Sequence, residues 1–390
     1  MQNSDLPAPK TAAPARIHLK HVEGMRAIAA LVVYVNHAYA QSWNPGKPEF
    51  PGGILSGFTY FMVAGHLSVT VFIVISGFCL TLPVVGSGDR LRGGAKDFFK
   101  RRARRILPPY YGALGLCLLL IATIIGRPTG TLWDVPVGVN RTAIVSHLLL
   151  MQDIYGTSKI NYVFWSIAVE WQIYFFFPVL VWAWRRYGPW VVAPAALLLG
   201  YALRIGFADS RLVRANPHYI GMFVLGMLAA YVAQSPKEIY AWARDRFPWR
   251  TVGAVALGIT GGMTVWRGWQ WGADHFYMLD LPVGIMATCA LVASSRSADS
   301  PLARVFSWKP LVFIGTFSYS VYLVHAPFLQ VLWQYVLHPM GLDNAATFGF
   351  LMTLGLAAIL GGAYLFFRVF EEPFIRAAKR RALPAPMPAT

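Results

Sequence analysis

Arg26 and His37 stand eleven residues apart in one apolar stretch of the chain. At about 100° per residue, that spacing passes three full helical turns by only about 20°, so on a helix both side chains share a face, with Cα atoms about 16 Å apart along the axis. A histidine held this way can act as a general base or as a transient acyl carrier, and Arg26 joins it as a candidate catalytic residue. The plainer alternative makes Arg26 a topological anchor and His37 a satisfied core histidine. Glu170, in the run Phe164-Trp165-Ser166-Ile167-Ala168-Val169-Glu170-Trp171-Gln172, is the one of 17 acidic residues that we place well inside an apolar span. An ionisable group at such depth is costly and marks a polar site, although it can also serve only to tie two helices together. Counting from the span ends puts His37, Glu170 and His325 at similar depth in the outer half of a ~30 Å core. A carboxylate and two imidazoles at one level could form a general-base site, the carboxylate orienting an imidazole and stabilising its protonated form.

Two further groups bear on ligand binding. The run Lys100-Arg101-Arg102-Ala103-Arg104-Arg105 precedes Ile106-Leu107-Pro108-Pro109. It reads as the cytoplasmic anchor of a span, and clustered guanidiniums also suit a phosphate clamp for a nucleotide-like donor. Ser76-Gly77-Phe78 puts a small pair mid-span, where a ligand or a neighbouring helix can approach closely.

The elements that must carry these residues are membrane helices. The 390 residues are 56% hydrophobic, 15% aromatic and 13% charged, against about 25% charged in an average soluble domain. That balance excludes disorder, coiled coil, collagen-like fibre and disulfide scaffold, and it predicts an all-α polytopic membrane helix bundle. We place ten spans, near 24–42, 62–85, 107–126, 163–184, 190–205, 217–234, 251–267, 281–296, 311–336 and 346–368. An interfacial piece is expected within 50–85 ahead of the second span, and a short outer helix within 142–155. Lys and Arg gather in alternate loops, on the side holding both termini, which places both termini in the cytoplasm. The same loops account for much of the net charge of +17, so no nucleic-acid partner is needed. Cys79, Cys117 and Cys289 are odd in number and lack CxxC spacing, which indicates neither a disulfide framework nor a zinc site, and no metal is expected. Intramembrane Glu, Arg and His also fit a proton-coupled transporter of a small molecule or glycan, but the two-fold repeat of such carriers is not evident in the sequence. A scaffold role in glycan assembly would leave His37 and Glu170 unexplained.

Taken in order, several motifs resemble the acyltransferase-3 family of integral membrane acyltransferases, from about residue 17 to 376. Glu23-Gly24-Met25-Arg26-Ala27-Ile28-Ala29-Ala30 through His37 is similar to the family opening, a basic residue, a ten-residue spacer and a histidine. Val71-Phe72-Ile73-Val74-Ile75-Ser76-Gly77-Phe78, the segment from Phe99 to Pro108, Trp165-Ser166-Ile167-Ala168-Val169-Glu170, the stretch from Gly315 to His325, and Glu372-Pro373-Phe374 resemble the later motifs. Two departures stand out. Where the family often has a second acid after the position of Glu170, this chain has Trp171, so Glu170 must act alone. The closing motif reads Glu371-Glu372-Pro373-Phe374. The resemblance implies transfer of an acyl group, most often acetyl from acetyl-CoA, to a hydroxyl of a sugar in a surface or exported glycan. It implies His37, Glu170, Arg26 and His325 as catalytic residues, and Arg101, Arg102, Arg104, Arg105, Ser76 and Tyr322 as binding the acyl-CoA donor. The expected location is the inner (cytoplasmic) membrane, within the lipid bilayer, with glycan-assembly machinery as a partner. The expected organisation is a cytoplasmic tail at 1–22, the acyltransferase-3 transmembrane domain at 23–375 and a basic Pro/Ala-rich tail at 376–390, with no C-terminal SGNH-type domain. The acceptor, and acetyl against succinyl or a longer acyl group, stay open.

Overall fold

The structure is a computed structural model that describes residues 19–43, 56–155 and 157–381. Among these residues every regular element is helical. The central helices are α1 (Lys20–Ser42), α2 (Ser56–Val85) and α3 (Gly94–Thr123), followed by a short outer helix α4 (Arg141–Leu148). Then come α5 (Trp165–Tyr187), α6 (Pro189–Gly206), α7 (Tyr219–Gln234), α8 (Glu238–Arg246), α9 (Trp249–Arg267), α10 (Trp269–Asp274) and α11 (Phe276–Arg296). The chain closes with α12 (Pro301–Phe306), α13 (Lys309–Thr316), α14 (Ser318–Leu332), α15 (Asn344–Phe350), α16 (Leu356–Phe366) and α17 (Glu372–Arg381). Local sequence sets many of the ends. Asn140, Ser300 and Asp343 cap α4, α12 and α15 by accepting a first-turn backbone N–H. Gly188, at φ 79°, lets α5 stop and α6 start with proline.

Each of the ten predicted stretches falls on helix, but the count of membrane-crossing candidates is lower. Among the described residues six helices are long and apolar enough to span a bilayer, or up to eight if each of two sharply bent pairs is one span. α1 and α9 fall outside this set. α1 carries Arg26, Asn36, His37 and Gln41, so the residues that matter most to the site also lower its apolar character. Two other expectations change in detail. The third helix begins at Gly94, well ahead of residue 107, so the basic run is helical rather than loop, and Pro108 and Pro109 lie inside the helix. The predicted span 311–336 is broken, with α13 and the Ser318–Leu337 segment meeting at 75°.

The packing core joins α1, α2, α7, α11 and α14, with α12 and α13 against α1, and glycines mark the closest crossings. A Cβ on Gly77 would lie 2.1 Å from the Phe223 carbonyl oxygen of α7, and one on Gly226 would lie 2.0 Å from that of Val74 in α2. A Cβ on Gly24 of α1 would meet the Phe306 carbonyl oxygen at 1.7 Å, and one on Gly315 would meet that of Glu23 at 2.1 Å. Backbone-to-backbone contact this close admits only glycine, as in small-residue helix crossings of membrane proteins.

Candidate active site

Side chains from α1, α2, α3, α5, α13, α14 and the end of the chain meet around a cavity of about 120 Å³. Arg26, Ser76, Arg102, Arg105, Glu170 and Tyr322, all expected from the sequence, line it. Cys79, Tyr174, Tyr319 and Glu371 add to its polar wall, with Ser166, Thr316 and Ser318. The helical course of the basic run explains its selectivity. Positions 102 and 105 lie on one face of α3, and the remaining pair turns away. Arg101 is exposed and donates to the Arg92 carbonyl at 3.0 Å, while Arg104 is exposed and does not reach the cavity. The four arginines thus divide into two that face the cavity and two that do not.

Within the cavity the hydrogen bonds run in short chains. The Tyr174 hydroxyl donates to Glu170 Oε1 at 2.6 Å. Because that uses its single proton, the Ser76 hydroxyl, 3.1 Å away, is the donor to Tyr174. Arg26 Nη1 pairs with Glu23 Oε1 at 3.3 Å, and its Nη2 lies 3.5 Å from Cys79 Sγ. Arg105 Nη2 stands 3.9 Å from Glu371 Oε1, and the Ser320 hydroxyl donates to Glu371 Oε2 at 2.7 Å. Arg102 Nε is buried with no protein partner, an open donor in a wall of guanidiniums.

Glu170 therefore does not meet an imidazole. The expectation that His37 or His325 compensates it gives way to a different pairing, Tyr174 at its carboxylate and Arg26 and Arg102 within electrostatic reach. Depth counted from span ends does not fix it, because depth leaves open which helices face each other, and here Glu170 shares a wall with Arg26.

The two histidines make their own pair. His37 Nδ1 and His325 Nε2 are 2.8 Å apart, with the rings stacked at 5.0 Å between centroids. His325 Nδ1 faces two carbonyl oxygens, of Val321 at 3.0 Å and Tyr322 at 2.9 Å. Carbonyls only accept, so Nδ1 of His325 carries the proton and its Nε2 offers a lone pair. His37 Nδ1–H then donates to that lone pair, which leaves Nε2 of His37 free to take a proton. His37 is partly exposed and Tyr162 packs edge-on against it at 4.9 Å, whereas His325 is buried. One turn beyond His37, Gln41 donates to Gln330 Oε1 at 2.8 Å, and Thr131 donates to the same oxygen at 3.0 Å. This second tie fixes α1 against α14 beside the pair. Tyr322 links the pair to the cavity: it is the neighbour of His325, its hydroxyl is 2.6 Å from Ser166 Oγ, and its ring is part of the cavity wall.

A sequence profile described as an acyltransferase domain matches residues 19–368. The chain belongs to this acyltransferase family. It is similar to the O-acetyltransferase OatA of Staphylococcus aureus (strain NCTC 8325 / PS 47), with 24% identity over 384 residues, 91% of this chain and 57% of that protein. OatA of strain COL matches with the same identity and coverage. The chain thus spans a little over half the length of these curated relatives. No solved structure matches it.

Several residues escaped the sequence reading. Tyr174 and Ser166 lie one turn either side of Glu170, a spacing that could have placed them on its face. Glu371 and Asp280 were set aside as span edges. Both lie in helices long enough to cross a membrane, and both are almost wholly buried. Asp280 Oδ2 is 2.8 Å from His218 Nε2 and Thr70 donates to Oδ1, while Tyr219 bonds His66 at 3.1 Å. This second polar cluster packs between α2, α7 and α11, apart from the cavity.

Proposed function

We propose that this chain is a membrane O-acyltransferase of the inner membrane, moving an acyl group, acetyl first among the candidates, from acyl-CoA to a sugar hydroxyl of a surface or exported glycan. The observation that carries the reading is the His37–His325 pair, whose hydrogen bonds leave a lone pair on Nε2 of His37. In this reading Nε2 takes the proton of the acceptor hydroxyl as its oxygen attacks the thioester carbonyl. The carbon–sulfur bond breaks, and the same proton passes to the departing CoA sulfur. His325 is a positioning residue that holds the tautomer and steadies the imidazolium.

The arginine wall supports a phosphate-bearing donor. Arg102 and Arg105 suit phosphate oxygens, and Arg26, held by Glu23 about three helical turns from His37, adds a third guanidinium for the anionic part of the donor. The cavity of about 120 Å³ is small beside pockets of about 300–1,000 Å³ that enclose whole ligands. It suits the phosphate-bearing arm of the donor, with the thioester reaching past Tyr322 to His37, which lies outside the cavity. The basic loops support a cytoplasmic side for the donor and for both termini. Glycan-assembly machinery on the opposite side is the partner this reading implies.

Purified protein with labelled acetyl-CoA tests the proposal. Acyl loss from CoA in the presence of an oligosaccharide acceptor supports it. A protein that moves solute without consuming acetyl-CoA refutes it. Mass spectrometry of surface glycans with and without the gene identifies the acceptor.

A further inference from the structure

α1 separates two cavities. Arg26 faces the polar one, and Met25, Ile28 and Val32 face an apolar groove of about 690 Å³. The far walls of the groove are Val71 of α2, Leu257 of α9 and Met286 of α11. Along α9 the groove runs from Trp249 to Thr260, about 16 Å at 1.5 Å per residue. That is close to half of a ~30 Å hydrocarbon core, the depth of one leaflet. Its end is polar. A second cavity of about 440 Å³ shares Trp249, Arg250 and Ala293 with the groove and adds Arg296, Ser297 and Ser300. Arg250 and Arg296 are the charged residues lining this end, and among the described residues no carboxylate lines either cavity. Arg296 gives one Nη2 contact, at 3.4 Å, to the Asp245 carbonyl and keeps its other donors. The first turn of α9 also lines the polar end, where helical N–H groups lack intrahelical acceptors.

An apolar slot one leaflet deep that ends on two guanidiniums and a helix N-terminus has the chemistry of one class of ligand. We propose that it binds an anionic phospholipid, the phosphodiester between Arg250 and Arg296 and an acyl chain along α9 and α11. The charge at the mouth selects the headgroup, and the groove takes the tail. The site lies on the side of the basic loops, where anionic lipid attracts Lys and Arg.

Native mass spectrometry of the full chain in detergent tests this, with phosphatidylglycerol and phosphatidylcholine of matched chains competing at equal concentration. Two guanidiniums predict about tenfold or greater preference for phosphatidylglycerol. Arg250→Gln with Arg296→Gln should erase the preference while leaving the thermal midpoint and acyl transfer unchanged, since neither residue lines the acyl-transfer cavity. Ala254→Trp, at an exposed groove position, should lower retention of both lipids. It keeps the test decisive if the double variant folds poorly. Equal retention of the two lipids by the wild type, or a preference that survives the double variant, overturns the proposal. A tenfold advantage of undecaprenyl phosphate over phosphatidylglycerol also overturns it and assigns the site to a polyprenyl carrier. None of these readouts depends on whether the chain transfers acyl groups.

Discussion

His37 and His325 come from helices 288 residues apart in sequence, and their ring nitrogens meet at 2.8 Å. The contact makes the second imidazole do what a carboxylate does in many hydrolase triads: accept from Nδ1–H of the base and hold its tautomer. His325→Ala should therefore lower kcat by about 10²-fold and barely change KM for the donor, within the ~10²–10⁴ range for general-base function. His325→Gln, which keeps an acceptor oxygen, should recover part of the loss. His37→Ala should cost as much as the double variant, because residues acting as a unit are not additive. Independent, multiplying effects of the two substitutions would show that they work separately.

The arginines offer a split that an anchoring role would not produce. Arg102→Gln and Arg105→Gln, at the cavity, should raise the donor KM by about tenfold or more, since a hydrogen bond to a charged group contributes roughly 1.5–3 kcal/mol. Arg101→Gln and Arg104→Gln, on the exposed face, should stay within about twofold, as solvent-exposed charges do. If all four behaved alike, the basic run would be acting through overall charge and topology.

Glu170 belongs to a hydrogen-bonded chain. Its carboxylate accepts from Tyr174, which accepts from Ser76, so the three groups form one chain in the cavity wall. Glu170→Gln and Tyr174→Phe should each raise donor KM and lower kcat, with a double-mutant coupling of about 0.5–3 kcal/mol. Steady-state kinetics on all three proteins measures that coupling. A coupling near zero would mean that the hydrogen bond has no part in turnover.

How far the sequence reaches is visible in these same residues. Helical periodicity put Arg26 and His37 on one face, and apolar runs located helix at all ten expected places. The cavity drew Arg26, Ser76, Arg102, Arg105, Glu170 and Tyr322 together from separate motifs. What the sequence did not hold was the partner of each group. The choice of Arg102 and Arg105 over Arg101 and Arg104 depends on α3 starting at Gly94, which Pro108 and Pro109 disguise as a helix start. The pairing of Glu170 with Tyr174 instead of histidine depends on which helices pack beside α5. Asp280 and Glu371 sit at the edges of apolar runs, where hydropathy cannot separate a solvated end from a buried pair.

Asp280 and His218 should be structural. Both are fully buried, and the His218 Nε2–Asp280 Oδ2 contact is 2.8 Å. Removing one partner strands the other, so Asp280→Ala should destabilise the protein by about 3–5 kcal/mol. Asp280→Leu with His218→Phe should regain much of that loss, because it leaves no buried charge and only the Thr70 hydroxyl without its acceptor. Thermal unfolding in detergent compares the variants, and acyl transfer per folded molecule should be unaltered in the double variant. A double variant less stable than Asp280→Ala would contradict a purely structural role.

Asp153 gives the clearest pH dependence outside the spans. It lies between α4 and α5, nearly buried, and Gln172 Nε2 donates to both of its oxygens at 2.9 and 3.0 Å. Burial pushes its carboxyl from an ordinary 3.8 up to about 6, against the opposing effect of these hydrogen bonds. With the folded value above the unfolded one, the native state holds the proton more tightly. The stabilising contribution is therefore complete below about pH 3.8 and is lost as pH rises through about 6. Asp153→Asn mimics the protonated side chain at every pH and keeps an acceptor for Gln172. It should match the wild type near pH 4 and exceed it above pH 6 by an amount on the order of 2–3 kcal/mol, from 1.36 kcal/mol per pKa unit. Thermal midpoints of the two proteins from pH 4 to pH 8 supply the comparison: the gap should open between pH 4 and pH 6 and then stay constant. A gap that is flat across the range, or that closes as pH rises, would mean that Asp153 is ionised in the folded protein throughout and that Gln172 outweighs the cost of burying its charge.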